Sequence, residues 1–284
     1  MSALPPPIHA FGGSGTPVIH MAIANGFPSQ TYTPLLRPLT AAHRVIGTLP
    51  RALWTPSPPL KTAQTWDVMA EDILACLRAE ALSDVIAIGH SMGGVASMLA
   101  VLKEPQRFRA LVLLDPTFLP PRLLRPLRVV RALGLIQLMP PAKKALQRRR
   151  DFSSQEAFYE YLRTRKIFSD WTPEALHAYA HYGSRPKEDG PGVTLTWTPE
   201  WEAQYFFGIF GQTWRTVPKL RGRLPTLIVR GTASDTFFPD AAALTRQALP
   251  EAHFVELQGK GHLFPQTHPE ETAALIQAWL EGYK

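Results

Sequence analysis

The stretch that most constrains the fold is residues 84–94, an apolar run that breaks into Gly-His-Ser-Met-Gly. The β-branched residues before the pentapeptide predict a buried strand, and the apolar residues 95–102 after it predict a helix. A sharp turn from strand to helix crowds the backbone, and glycine at positions 89 and 93 relieves that crowding. Such a turn lifts the hydroxyl of Ser91 out of the backbone, so Ser91 is a candidate nucleophile.

The helix after this turn begins at Met92 and adds an electrostatic element. Its first backbone N–H groups have no partner within the helix, and they carry the positive end of the helix dipole. Both features face any oxyanion formed beside Ser91. The N–H of Met92 is therefore a candidate oxyanion donor.

Strand and helix patterns alternate on both sides of this turn. Strands are predicted at residues 8–11, 17–24, 45–47 and 109–115, with a helix at residues 66–80. Alternation of this kind predicts a parallel sheet covered by helices on both faces, with a site at the carboxyl ends of the strands. It stops across residues 118–216, which show helical patterns and no convincing strand of the sheet. It then returns with strands at 225–231 and 252–257 and a helix at 269–280.

Length and composition fit one α/β domain with an insertion. The chain has 284 residues, of which 45% are hydrophobic and 19% charged, and these values are typical of a globular enzyme-sized domain. Its single cysteine, Cys76, excludes an internal disulfide and permits a reducing compartment. Residues 1–7 lack the pattern of a secretory signal, and no run is long enough to cross a membrane. We therefore predict a cytoplasmic protein without stable membrane insertion.

The net charge of +7 is concentrated in one segment. Residues 122–150 contain nine Arg and Lys residues and no Asp or Glu. A run of this kind usually forms solvated helix faces, and we predict that here rather than a nucleic-acid partner. The alternative is that the run attracts an anionic substrate or a membrane surface.

The loop after the second strand carries a motif that, with the Gly-x-Ser-x-Gly turn, resembles the α/β-hydrolase family. This motif is Asn25-Gly26-Phe27-Pro28. The resemblance implies that the backbone N–H groups of Phe27 and Met92 form an oxyanion hole. The family more often has histidine where this chain has Asn25. The hydrogen bond of that histidine is then made by the Asn25 amide or lost.

The same resemblance implies a catalytic triad in the chain order Ser, Asp or Glu, His. Asp235 lies in the loop after the strand at 225–231, where the family has its acid. His262 lies in the loop after the strand at 252–257, where the family has its base. Both loops follow strand carboxyl ends, so we predict that both residues converge on Ser91.

Each triad role has competitors in the sequence. Asp115 ends the strand after the turn, at a position that some relatives use for the acid, and it is the second choice because Pro116 follows it. The remaining histidines are predicted to be structural, and His268 is predicted to open the last helix. A metal site on His177 and His181, one helical turn apart, lacks a third ligand at suitable spacing. The histidines considered and set aside as the base are His20, His43, His90, His253 and His268.

The resemblance also implies the domain organisation and the reaction class. Residues 1–117 and 217–284 would form the α/β-hydrolase core, and residues 118–216 a mainly helical cap inserted after the strand that ends at Asp115. Relatives that open epoxides or displace halide have Asp in place of Ser91, so those reactions are excluded. We predict a serine hydrolase without metal or cofactor that cleaves a carboxylic ester or a related acyl bond, such as a thioester, lactone or amide. The alternatives are a carbon–carbon bond hydrolase of the same fold and a ligand-binding protein that has lost catalysis.

Aromatic residues are dense in the predicted cap. Most of them must pack the cap onto the sheet, but a few should face Ser91. We therefore predict a small, largely apolar substrate whose acyl group lies against cap aromatics such as Trp171, Trp197 and Trp201. The sequence carries no signal for oligomeric state.

Overall fold

The computed structural model describes residues 5–282, so residues 1–4 of the amino-terminal stretch considered above lie outside it. Its central element is a seven-stranded sheet with the spatial order β1-β3-β2-β4-β5-β9-β10. Every neighbouring pair is parallel except β1 and β3, which are antiparallel. The strands of this sheet are β1 (Ile8–Gly12), β2 (Ile19–Ala22), β3 (Val45–Thr48), β4 (Val85–His90), β5 (Phe108–Leu114), β9 (Thr226–Gly231) and β10 (His253–Leu257).

Helices cover both faces of the sheet. The longest are α2 and α3, which pack against each other, and α12, which packs against α1. The predicted helix at 66–80 is observed as α2, and His268 is the N-cap of α12 as predicted. The helices outside the insertion are α1 (Thr33–Leu36), α2 (Asp67–Ala79), α3 (Met92–Lys103), α10 (Pro239–Ala248), α11 (Phe264–Thr267) and α12 (Pro269–Glu281).

Residues 118–216, hereafter the insertion, lie between β5 and β9 and contribute no strand to the central sheet. Three short strands within it form a separate sheet in the order β6-β8-β7, which the sequence analysis did not predict. Strands of two or three residues are too short to show an alternating pattern. The elements of the insertion are α4 (Pro121–Ala132), α5 (Pro140–Leu146), β6 (Asp151–Phe152), α6 (Gln155–Arg163), α7 (Pro173–Tyr182), β7 (Ser184–Pro186), β8 (Val193–Leu195), α8 (Pro199–Phe207) and α9 (Thr213–Thr216).

The strand order fixes where a site can lie. Strand β4, which carries the predicted nucleophile at its carboxyl end, pairs with β2 on one side and β5 on the other. The carboxyl ends of β2, β4, β5 and β9 therefore lie side by side at one edge of the sheet. No helix among residues 5–282 is long and apolar enough to cross a lipid bilayer.

Candidate active site

Ser91 lies in a strained turn between β4 and α3. Its φ of +58° is in the left-handed region, which a residue with a side chain rarely adopts. A Cβ at Gly89 would lie 2.4 Å from the carbonyl oxygen of Gly93, and one at Gly93 would lie 2.2 Å from that of Ala22. Both glycines are therefore required for the turn, as the sequence predicted.

His262 is within hydrogen-bonding distance of Ser91. It follows β10 in a loop that leads to α11, and its Nε2 lies 2.9 Å from the Ser91 Oγ. On the opposite side of the ring, Nδ1 lies 2.7 Å from a carboxylate oxygen. A carboxylate only accepts, so Nδ1 carries the proton and Nε2 accepts from the Ser91 hydroxyl. This is the geometry of a general base poised on a nucleophile.

The carboxylate on His262 belongs to Asp115, and the prediction that Asp235 orients His262 is wrong. The 2.7 Å contact is made by Asp115 Oδ2. Asp235 is exposed, and its carboxylate accepts a hydrogen bond from the hydroxyl of the neighbouring Thr236. Within residues 5–282 Asp235 forms no hydrogen bond to His262, although its loop follows β9 as predicted.

Asp115 reaches His262 because of its position in the sheet. It follows the last residue of β5, the immediate neighbour of β4, and adopts a φ of +41°. The side chain is completely buried. A buried carboxylate needs donors, and Asp115 receives them from the backbone N–H of Gly231 at 3.0 Å and from the Ser234 hydroxyl.

Ser234 is the contribution of the loop that was expected to supply the acid. Its hydroxyl donates to Asp115 Oδ2, and its Oγ accepts the backbone N–H groups of Thr236 and Phe237 at 3.1 Å each. These two bonds hold the serine in place. The loop after β9 thus supplies a hydroxyl that supports the carboxylate rather than the carboxylate itself.

Thr117 is a site residue that the sequence analysis missed. Its Oγ1 lies 3.1 Å from the Ser91 Oγ, and its backbone N–H donates to the Ser91 carbonyl at 3.2 Å. Since the Ser91 proton is directed at His262, the Thr117 hydroxyl is the donor to Ser91. The only sign of this residue in the sequence was that a threonine stands two positions after Asp115, which follows a strand.

His90 is buried beside Ser91 and forms a hydrogen bond to the backbone of His262. Its Nε2 donates to the carbonyl oxygen of His262 at 3.0 Å, since a carbonyl only accepts. Its Nδ1 therefore accepts from the Tyr32 hydroxyl at 2.7 Å, whose oxygen in turn accepts the N–H of Ala24 at 3.0 Å. Burial holds the pKa of His90 well below its ordinary value, so the ring stays neutral in this chain of hydrogen bonds.

The two predicted oxyanion donors belong to the segments that follow β4 and β2, which are neighbouring strands of the sheet. Met92 is the first residue of α3, and Phe27 follows a turn at Gly26, whose φ is +84°. The predicted substitute for the family's histidine, Asn25, donates its side-chain N–H to the carbonyl oxygen of Glu202 at 2.9 Å. Asn25 thus binds helix α8 of the insertion.

A second hydrogen bond ties the same loop to the insertion. The hydroxyl of Tyr179, on α7, donates to the carbonyl oxygen of Gly26 at 2.8 Å. Burial raises the pKa of Tyr179, which keeps this hydroxyl protonated and able to donate. Arg148 donates to the Tyr179 oxygen at 3.0 Å and forms an ion pair with Glu202. We call Arg148, Tyr179 and Glu202, with Asn25 and Gly26, the loop clamp.

We expect Tyr179→Phe to lower kcat about fivefold and to leave KM nearly unchanged. The substitution removes the hydrogen bond to Gly26 and leaves a buried guanidinium with one partner fewer, and a buried hydrogen bond contributes about 1 kcal/mol. The effect should fall on kcat because the Phe27 N–H next to Gly26 would act on the transition state. Tyr182→Phe is the matched control, because Tyr182 lies on the same helix and is exposed. Equal kinetics for the two variants, measured on a nitrophenyl ester, would contradict the role of the clamp.

Of the three tryptophans proposed for substrate contact, Trp171 is the one that contacts Phe27. We call the loop of residues 25–28, which carries Phe27, the oxyanion loop. The Trp171 ring stacks on Phe27 with a centroid distance of 5.6 Å. Trp197 and Trp201 are buried against Tyr205, and the Trp201 Nε1 donates to Ser57 at 2.9 Å. Trp201 therefore connects the insertion to the rest of the chain, whereas Trp197 packs within the insertion.

The remaining histidines have structural contacts. His20 is buried against Thr48, and burial lowers its pKa to about 4. His177 stacks on Tyr159 with a centroid distance of 4.1 Å, and His181 Nδ1 lies 3.3 Å from the side chain of Gln155. Across residues 5–282 there is no group of three or more His, Cys, Asp or Glu side chains that could hold a metal ion.

Comparisons with known proteins agree with this architecture. A model described as "Alpha/beta hydrolase family" matches residues 8–275. The chain is 26% identical over 216 residues to the 2-(acetamidomethylene)succinate hydrolase of Mesorhizobium japonicum, covering 75% of this chain and 70% of that protein. The crystal structure of an E-2-(acetamidomethylene)succinate hydrolase superposes with a TM-score of 0.78 at 22% identity, covering 96% of this chain and 94% of the other. The thioesterase domain from the curacin biosynthetic pathway gives 0.75 at 18% identity, with 95% and 94% coverage.

Proposed function

Because this chain belongs to the alpha/beta hydrolase family and is a hydrolase, we propose that it cleaves a carboxylic ester through Ser91, His262 and Asp115. One observation carries the proposal: the unbroken chain of hydrogen bonds from the Ser91 hydroxyl through both ring nitrogens of His262 to Asp115. Each member has the partner that its role requires. Asp115 takes the place first considered for Asp235.

In the first half of the reaction, the Ser91 Oγ attacks the substrate carbonyl carbon and His262 Nε2 takes the hydroxyl proton. Asp115 stabilises the imidazolium that forms and fixes its orientation. The tetrahedral intermediate collapses when the bond to the leaving alcohol breaks and His262 returns the proton to the alcohol oxygen. Ser91 then carries the acyl group. In the second half, His262 takes a proton from water, the hydroxide attacks the ester, and Ser91 leaves with that proton.

The negative charge of each tetrahedral intermediate would be held by the backbone N–H groups of Phe27 and Met92. Donors fixed before the reaction stabilise such charge without reorganising, and losing one typically costs a factor of about 100 to 1,000. The loop clamp supports this role for Phe27, since it fixes the carbonyl of Gly26 immediately before it. Thr117 would hold the Ser91 oxygen in line between attacks.

We further propose that residues 118–216 act as a cap over a core made of residues 1–117 and 217–284. Asn25 and Tyr179 support this division, because both connect the oxyanion loop to helices of the insertion. The stacking of Trp171 on Phe27 supports an apolar wall at that point of the site. A cytoplasmic location and a small-molecule substrate fit the same proposal.

The proposed function predicts a dependence on acyl chain length. We expect kcat/KM for nitrophenyl esters to rise from acetyl to hexanoyl by about threefold to fourfold per methylene, because each buried methylene contributes about 0.8 kcal/mol. The measurement is a panel of nitrophenyl esters from acetyl to octanoyl, one arylacyl ester and a coloured ring-fission diketone. A steady fall with chain length would contradict the apolar pocket. Faster cleavage of the diketone would indicate a carbon–carbon hydrolase, and no turnover of any substrate would indicate a binding protein.

A further inference from the structure

The exposed apolar side chains of this protein are concentrated at one place. Most surface-exposed aliphatic residues of a globular protein are scattered singly, and a cluster marks an interaction surface. Here five of the eight large apolar side chains that are exposed within residues 5–282 lie in an eighteen-residue stretch of α4, α5 and their connection. They are Val129, Leu133, Leu135, Leu138 and Leu146.

The segment made of α4, α5 and their connection, hereafter the hairpin, packs on the rest of the protein along one side. Ile136 in the connection packs against the core, and Arg131 donates to the backbone carbonyls of Phe207 and Ile209. Leu124 and Leu127 of α4 are buried, and Ala142 and Ala145 of α5 are buried on α8 beside Ala203. The tip, which we define as Val129, Leu133, Leu135 and Leu138, takes no part in this packing. Val129 is 58% exposed, Leu133 66% and Leu138 63%. Folding therefore does not explain these side chains.

Uncompensated positive charge surrounds the tip. The basic residues at the two ends of the 122–150 run have acidic partners: Arg122 pairs with Asp240, and Arg150 with Glu200. Arg125, Lys143 and Lys144 are exposed, and none of them forms an ion pair within residues 5–282. Arg125 precedes Val129 by four residues and Leu133 by eight, so the three lie on one face of α4.

We propose that the hairpin tip docks this protein on the surface of an anionic lipid membrane. Aliphatic side chains at the tip would enter the boundary between head groups and acyl chains, while Arg125, Lys143 and Lys144 would contact the lipid phosphates. The contact is peripheral, and no element crosses the bilayer. The proposal concerns binding alone and stands apart from the reaction at Ser91.

The charge and the residue composition of the tip favour a lipid surface over a protein surface. A second copy of the chain would bring the same uncompensated cations together, and like charges repel. Protein interfaces draw most of their binding energy from Trp, Tyr and Arg in buried pockets, with Leu under-represented. The exposed side chains of the tip are all aliphatic, and residues 129–146 contain no Trp, Tyr or Phe. This composition suits a fluid hydrocarbon environment.

The test is sedimentation of the full chain with vesicles of phosphatidylcholine alone or with about one third phosphatidylglycerol. We expect binding to the anionic vesicles that weakens as salt is raised. Leu133→Ser combined with Leu138→Ser should reduce binding at least tenfold, and Lys143→Gln combined with Lys144→Gln by about fivefold per lysine. All four side chains are exposed, so the fold should survive both pairs, and hydrolysis of a water-soluble ester should be unchanged.

Matched controls separate this contact from nonspecific adsorption. Ile167→Ser removes an aliphatic side chain that is 57% exposed elsewhere on the insertion, and Lys61→Gln with Lys219→Gln removes two exposed lysines elsewhere. Ile167→Ser should leave vesicle binding unchanged. Lys61→Gln with Lys219→Gln should weaken binding only through the lower net charge, and therefore less than Lys143→Gln with Lys144→Gln. Absence of binding to anionic vesicles, or equal losses in test and control variants, would overturn the proposal. So would a dimer in solution that Leu133→Ser and Leu138→Ser dissociate, or tip-dependent binding to immobilised polyglutamate without vesicle binding.

Discussion

Ser91→Ala is expected to lower kcat by about 10⁵-fold or more and to abolish labelling by a fluorophosphonate. Removing the nucleophile of a serine hydrolase removes the covalent step entirely, and what remains is the modest catalysis provided by oxyanion donors and binding. The fold should survive, because the only hydrogen bonds of the Ser91 hydroxyl within residues 5–282 are those with His262 and Thr117. The measurement is steady-state hydrolysis of the best nitrophenyl ester, together with mass spectrometry of the labelled protein.

Ser97 provides a matched control for this substitution. It lies on α3, the helix that begins directly after Ser91, and is also buried, and its Oγ has no hydrogen-bond partner within residues 5–282. Ser97→Ala therefore makes the same atomic change without touching His262. Its kcat should stay within about twofold of the parent protein. A kcat of Ser91→Ala within tenfold of the kcat of Ser97→Ala would rule out Ser91 as the nucleophile.

The parts of the site that could be predicted are those whose geometry is local in sequence. The turn at Ser91 needs two glycines within five residues, and the clashes that a Cβ would make there have the same origin in every chain with this turn. The sheet could likewise be predicted from alternating apolar runs, since parallel strands buried on both faces leave a strong pattern.

The carboxylate that binds His262 could not be chosen from the sequence, because two carboxylates follow adjacent strands. Asp115 follows β5 and Asp235 lies in the loop after β9, and these strands pair directly. The choice depends on which side chain points inward, and that is set by a φ of +41° at Asp115 and by Ser234 occupying the inward position of its loop.

The loop clamp was beyond prediction for a different reason. Its contacts join residues separated by 177 positions, from Asn25 to Glu202, and by 153 positions, from Gly26 to Tyr179. A single sequence carries no information about such pairs unless a motif names them. The departure from histidine at Asn25 did show that this loop needed a new partner. The structure supplies that partner from the insertion.

Asp115→Asn is expected to lower kcat about 10⁴-fold, whereas Asp235→Asn should leave it within twofold. The asparagine oxygen can still accept the N–H of Gly231, so its amide nitrogen would face His262 Nδ1. An amide donates where the carboxylate accepted, which moves the ring proton to Nε2. His262 would then present a donor to Ser91 and could not take its proton, and this tautomer change costs about 10⁴-fold in the trypsin case from which the magnitude is taken.

The pair of variants distinguishes a catalytic defect from loss of structure. Asp115 is buried, and asparagine has nearly the same size as aspartate, so Asp115→Asn should still fold. The melting temperature of Asp115→Asn and the circular dichroism of both variants, recorded beside the kinetics, check this. If Asp115→Asn folds and its kcat stays near that of the parent protein, then another acid orients His262. A large loss in Asp235→Asn would also contradict the assignment, because among residues 5–282 the exposed Asp235 carboxylate accepts a side-chain hydrogen bond from Thr236 and none from His262. Slow hydrolysis by Asp115→Asn that recovers at high pH, where hydroxide replaces the lost base, would instead support the tautomer explanation.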